Sequence, residues 1–288
     1  LGCNSEKLLM KNFKEKVAAI TGAGSGIGRQ LALQLAQQGA HLALSDMNEQ
    51  GLLETLNLLK DYPVKVTLTK LDVADREAVY AWAESSFNEF GQLNLIFNNA
   101  GVALASTVEG MNYDELEWIF NINFWGVVYG TKAFLPYLKQ SGEGHIINTS
   151  SLFGLTAQPT QSAYNATKFA VRGFTEALRQ ELDMENCGVS ATSVHPGGIR
   201  TNIANAARMS DSIRALGMNP EKASRSFNKV LKTPPELAAK VILDGVKQNK
   251  ARVLIGNDAK LLDLVQRVTP SHYAQALNFF TKRKAKKK

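Results

Sequence analysis

Between about residues 15 and 256 the chain alternates short apolar runs with longer stretches whose apolar residues recur at helical spacing. The short runs are Val17–Ile20, His41–Ser45, Val64–Leu71, Leu93–Phe97, His145–Thr149, Val189–Val194 and Val253–Ile255. They are β-branched or leucine-rich on consecutive positions, which predicts strands covered on both faces. The helical stretches between them are Ile27–Gln38, Glu49–Lys60, Arg76–Phe90, Tyr113–Lys139, Ala163–Glu185 and Pro235–Gln248. Strand and helix in this alternation require right-handed crossovers and a parallel sheet. The expected fold is therefore α/β: one doubly wound domain over residues 14–256, a seven-stranded parallel sheet with helices on both faces.

One segment breaks the rhythm. Residues 197–233 hold apolar side chains but no strand signal, and a connection that long reads as a substrate lid. Residues 1–13 are read as an N-terminal extension and 257–288 as a C-terminal extension ending in a basic tail.

The net charge of +7 points toward nucleic acid only until it is located: Lys282, Arg283, Lys284, Lys286, Lys287 and Lys288 supply six of the charges and leave +1 for the rest. A neutral body does not bind nucleic acid, and the tail reads as a solvated end; peripheral membrane contact through it is the less favoured reading. No apolar run is long enough to span a bilayer, and the expected compartment is the cytoplasm. Cys3 and Cys187 form no disulfide framework, and His41, His145, His195 and His272 are scattered without metal-binding spacing, so no metal is expected.

The first strand runs directly into Thr21-Gly22-Ala23-Gly24-Ser25-Gly26-Ile27-Gly28 and then a helix. Gly22 permits the turn, Gly26 lets backbone approach a pyrophosphate, and Gly28 lets helix and strand pack closely. Phosphates would sit on the free N–H groups at the helix start. The second strand ends at Asp46, 18 residues beyond Gly28, where a carboxylate accepts ribose hydroxyls and repels a 2′-phosphate. Asp46 as the cap of the following helix is the plain structural alternative. NAD is therefore the expected cofactor, with NADP disfavoured.

Tyr164 and Lys168 stand at i and i+4 of a predicted helix, on one face. A free phenol, with pKa near ~10, is too weakly acidic to serve as a base at neutral pH, and a neighbouring ammonium favours its phenolate. Ser151, 13 residues before Tyr164, follows the fifth predicted strand at the carboxyl edge of the sheet.

Together these residues resemble the short-chain dehydrogenase/reductase family over about residues 14–256. Thr21–Gly28 resembles its glycine loop, Asn98-Asn99-Ala100-Gly101 its Asn-Asn-Ala-Gly segment, and Pro196-Gly197-Gly198-Ile199-Arg200-Thr201 its Pro-Gly-x-x-x-Thr stretch. Asn123, Ser151, Tyr164 and Lys168 match its catalytic positions, and Asp72-Val73 its adenine-holding pair. The resemblance implies a Rossmann-type domain and direct hydride transfer between a dinucleotide and an alcohol or ketone. It implies cofactor contacts from Gly22, Ser25, Gly26, Ile27, Gly28, Asp46, Asp72, Val73, Asn99, Ala100, Gly101, Tyr164, Lys168, Pro196, Gly197, Ile199 and Thr201. It implies that Tyr164 transfers the hydroxyl proton, Ser151 bonds the substrate oxygen, Lys168 lowers the tyrosine pKa, and Asn123 holds a water linking Lys168 to solvent. A homodimer or homotetramer through the helices bearing Asn123 and Tyr164 is also implied.

Val102, Ala103, Leu104, Leu152 and Phe153 are expected near the pocket, with Ile203, Met209, Ile213, Leu216, Met218 and Phe227 from the lid. This apolar lining predicts a small lipophilic alcohol or ketone, bound through Ser151, Phe153 and Tyr164. A ketoacyl-thioester reductase is an alternative disfavoured by Asp46, and a non-catalytic dinucleotide-binding scaffold or redox sensor one disfavoured by the intact Ser151, Tyr164 and Lys168.

Overall fold

The computed structural model of the protein describes residues 10–223, 225 and 231–275. Strands form at β1 (Val17–Thr21), β2 (His41–Asp46), β3 (Val66–Lys70), β4 (Leu95–Asn98), β5 (Leu104–Ala105), β6 (Gly144–Thr149), β7 (Val189–Pro196), β8 (Arg208–Met209) and β9 (Arg252–Ile255). All the predicted runs join one parallel sheet in the order β3-β2-β1-β4-β6-β7-β9. The order reverses between β1 and β4, and that switch point opens a crevice at the carboxyl ends of the strands.

Alternate residues of each strand serve opposite layers. Ala18 and Ile20 of β1 face a core built with α1 (Gly26–Gln37) and α2 (Glu49–Leu59), to which Met10 and Phe13 also belong. Val17 and Ala19 face the other core, with α3 (Arg76–Phe90), where Trp82 meets Phe134 edge-on at 4.9 Å. Burial on both sides is why these strands carry consecutive apolar residues.

The predicted helix over Tyr113–Lys139 is interrupted. α4 (Tyr113–Phe120) passes through a π-helical turn, Asn121–Trp125, into α5 (Gly126–Gln140). α6 (Ser162–Glu185) and α7 (Pro235–Lys247) match the remaining predictions. The 197–233 segment is not structureless. β8 pairs with β5, the Arg208 guanidinium lies 3.6 Å over the Trp118 ring, and Ser212 Oγ bonds Ser106 Oγ at 3.1 Å. Ile213 is fully buried whereas Leu216 is largely exposed, and Phe227 lies outside the described residues.

After β9 comes α8 (Asn257–Val268), an amphipathic helix. Ala259 and Asp263 face the body, while Leu261, Leu264 and Val268 point outward. Asp263 is tolerated there because Arg252 and Arg267 reach it at 3.5 and 2.8 Å. Leu277, Phe279, Phe280 and the cluster Lys282–Lys288 lie outside the described residues. No described helix is long and apolar enough to cross a membrane.

Candidate active site

The carboxyl ends of β1, β2, β3, β4, β6 and β7 deliver the predicted loop segments to one edge of the sheet. After β1 the chain turns at Gly22 with φ +68, and Gly26 takes φ +53. A Cβ on Gly28 would stand 2.0 Å from the Gly22 carbonyl oxygen, so only glycine lets α1 leave the strand at this angle. No side chain caps the start of α1 at Ser25, which leaves its first N–H groups for an external acceptor. Across Gly26 stands Thr201, and a cleft of about 400 Å³ there is lined in part by Ser25, Arg200 and Asn202. An uncapped helix start beside glycine backbone fits a pyrophosphate.

At the end of β2 the Asp46 carboxylate accepts from Gly24 N–H at 2.9 Å and from Asn48 N–H at 2.9 Å. Asn48, not Asp46, caps α2, by accepting from Gly51 N–H. The carboxylate retains acceptor capacity for ribose hydroxyls, since each oxygen has two lone pairs. Of nearby cations, Arg29 is spent on Gly24 O, Gly51 O, Thr55 and Glu54. Lys70, the in-register neighbour of Asp46 on β3, lies 3.7 Å from Glu49; sequence order alone hid this cation.

Asp72 caps its own turn through Ala74 N–H, and Val73 packs against Gly126 of α5. After β4, Asn99 bonds back to β1 through Thr21 O and Gly22 O, and Ala100 N–H donates to Thr21 Oγ1. These bonds hold Gly101 beside Asn123 and Lys168: a Cβ on it would lie 3.1 Å from Asn123 Oδ1 and 3.5 Å from Lys168 Nζ. Asn123, fully buried in the π-turn, donates to Val102 O at 2.9 Å and accepts from Val102 N–H at 2.8 Å.

Ser151 follows β6, and its Oγ accepts from Phe153 N–H at 3.1 Å. Phe153 meets the Tyr164 ring edge-on at 6.0 Å. Lys168 Nζ donates to Thr149 O at 3.0 Å and lies 5.7 Å from the Tyr164 ring centroid. Burial pushes the Tyr164 phenol above its ordinary range, and hydrogen bonding with Ser151 pulls it partly back. Burial lowers Lys168 to about 8. Desolvation is the larger of the two influences at the phenol.

Sequence reading passed over His195. Its Nδ1 meets the Ser151 carbonyl oxygen at 2.9 Å and its Nε2 meets Ser193 Oγ at 2.9 Å. A carbonyl only accepts, so Nδ1 carries the proton and Nε2 accepts from Ser193. Burial lowers His195 to about 4, which keeps it neutral under the Ser151 backbone. Its position directly before Pro196 was the available signal.

A glycine cradle, a carboxylate at the end of β2 and a Ser–Tyr–Lys cluster thus meet at one edge of the sheet. The family model for short chain dehydrogenase matches residues 16–211, and the chain belongs to that family. It is 49% identical over 265 residues to the oxidoreductase SadH of Mycobacterium tuberculosis, covering 92% of this chain and 94% of that one. A short-chain dehydrogenase/reductase from Burkholderia phymatum in complex with NAD is similar at TM-score 0.82 and 28% identity, covering 90% of this chain and 95% of that one. An alcohol dehydrogenase from Thermococcus sibiricus complexed with 5-hydroxy-NADP is similar at TM-score 0.68 and 26% identity, over 83% and 95%. The chain is accordingly an oxidoreductase of this family.

Proposed function

We propose that the protein is an NAD-preferring dehydrogenase that interconverts a small apolar secondary alcohol and its ketone. The observation that carries this reading is the convergence of buried Ser151 and Lys168 with partly buried Tyr164 beside the glycine cradle and Asp46. A bound nicotinamide would supply the hydride acceptor or donor. Gly22, Ser25, Gly26, Ile27 and Gly28 would hold its pyrophosphate, with Asp46 at the adenosine ribose and Asp72 and Val73 beside the adenine. Asn99, Ala100, Gly101, Pro196, Gly197, Ile199 and Thr201 would face the nicotinamide half.

In reduction Tyr164 gives its phenolic proton to the substrate oxygen, while Ser151 Oγ–H donates to that oxygen and stabilises its developing charge. Burial favours the neutral phenol, the form required in this direction. In oxidation the proton returns to Tyr164, and charged Lys168 stabilises the phenolate. Asn123, fixed by its two bonds to Val102, would hold a water linking Lys168 to solvent. Phe153, against the Tyr164 ring, with Val102 and Leu152, forms an apolar wall that excludes water and selects a lipophilic substrate.

Titrating NADH and NADPH at fixed salt tests the cofactor preference. NADH binds more tightly, and Asp46→Ala narrows the ratio by roughly tenfold, about 1.4 kcal/mol. Tighter NADPH binding by the wild type overturns the preference. A panel of ketones, alcohols and ketoacyl thioesters then identifies the substrate class. With the best of them, Tyr164→Phe lowers kcat about 10²–10⁴-fold while leaving NADH binding nearly intact. A Tyr164→Phe enzyme retaining more than roughly a tenth of the wild-type rate removes Tyr164 from the proton-transfer role.

A further inference from the structure

The chain beyond β9 returns to the site at two points. In the first turn of α8, Asp258 Oδ2 accepts from Gly198 N–H at 2.7 Å, and Oδ1 accepts from Ala259 N–H at 2.9 Å. The carboxylate is nested between two glycines: a Cβ on Gly197 or on Gly256 would come within 2.2 or 2.4 Å of its Oδ1. Further along, Tyr273 Oη accepts from Ala157 N–H at 3.1 Å, in the segment between Ser151 and Tyr164. Between these two anchors, buried Asp263 takes Arg252, which also reaches Glu176 on α6.

We infer that residues 258–273 form a clip that holds both walls of the active site, with Asp258 positioning the Pro196–Ile199 turn and Tyr273 positioning the 155–160 segment. Pro196-Gly197-Gly198 has no side chain beyond proline with which to anchor itself, and two adjacent glycines carry high backbone entropy when unrestrained. A charge-assisted bond to Gly198 N–H removes that freedom. It fixes the turn at the point where Ile199 N–H bonds Gly197 O and Thr201 N–H bonds Ile199 O. The nested fit accounts for both Gly197 and Gly256: no larger residue leaves room for the carboxylate. Asp258 and Tyr273 touch no reacting atom, so both act through the backbone they hold. That the held turn faces nicotinamide rests on the function proposed above.

The test uses full-length protein carrying Asp258→Ala, Asp258→Asn, Tyr273→Phe or, as a control on the exposed side of α8, Lys260→Ala. Hydrogen exchange of the 196–201 and 155–160 backbone is read in the free protein, and NADH affinity by fluorescence titration. Asp258→Ala accelerates exchange at 196–201 and weakens NADH about tenfold, the scale of one charge-assisted bond. Asp258→Asn, which keeps a neutral acceptor, recovers most of both. Tyr273→Phe accelerates exchange at 155–160 and raises KM for the best ketone of the panel more than it changes kcat, with NADH affinity unmoved. Lys260→Ala changes nothing. Should Asp258→Ala not fold, Asp258→Glu carries the same comparison, because its longer side chain displaces the carboxylate from Gly198. Unchanged exchange at 196–201, or accelerated exchange with NADH affinity intact, overturns the inference. If the wild type binds neither dinucleotide, the proposed function falls, while exchange in the free protein still decides whether the clip exists.

Discussion

Two buried histidines show how a single side chain ties stability to pH. Thr192 Oγ1 donates to Lys250 O, so it accepts from Nε2–H of His145, and that ring is neutral. Burial lowers His145 to about 3 and His195 to about 4, well under the ordinary 6.5. Below pH 6.5 the unfolded chain binds protons that the folded chain refuses. Stability therefore falls as pH drops from 6.5 toward 4, by up to about 1.4 kcal/mol per pH unit for each histidine. Melting temperatures measured from pH 7 to pH 5 decline accordingly. His145→Gln, which keeps an N–H donor for Thr192, reduces the slope by about half, since two such groups share it. An unchanged slope in that variant shows that other groups carry the acid sensitivity.

At the scale of elements, close approach is bought with glycine. On α5, a Cβ at Gly130 would stand 2.1 Å from Asn98 Oδ1, and Asn98 in turn bonds Asn148 at 2.8 Å inside the sheet. Gly130→Ala pushes α5 off this buried polar ladder and costs about 1–3 kcal/mol, measurable by denaturant unfolding. The main strands and helices were legible because each buries a face and so leaves a period in the sequence. β5 and β8 were not, since two residues carry no period and their pairing spans about a hundred positions. The π-turn was hidden because Phe120, Phe124 and Trp125 keep the stretch apolar throughout the phase change. Ser151, Tyr164 and Lys168 were legible as a spacing, whereas the desolvation that sets their proton affinities depends on what the fold packs around them.

For the whole molecule, two exposed apolar surfaces bear on assembly. Trp125, 43% exposed, stacks on Tyr129, with Phe169 on neighbouring α6 39% exposed. Leu261, Leu264 and Val268 make a separate stripe on α8. We expect a homodimer or homotetramer, with the surface around Trp125 at its principal contact; sedimentation of the wild type shows more than one chain, and Trp125→Glu shifts the mass downward. An unchanged mass for that variant places the contact elsewhere. The opposite edge of the sheet has a different consequence. Because the glycine loop, Asp46, Asn99, Ser151 and the Pro196 turn all leave from carboxyl ends, the loops entering the strands carry none of the chemistry. At one of them, Gly91, an added side chain would meet nothing within 4 Å. The junction of Gly91 and Gln92 is therefore where a fluorescent reporter or a new pair of chain ends can be spliced in while the enzyme keeps working, and an insertion of the same length after Ser151 silences it.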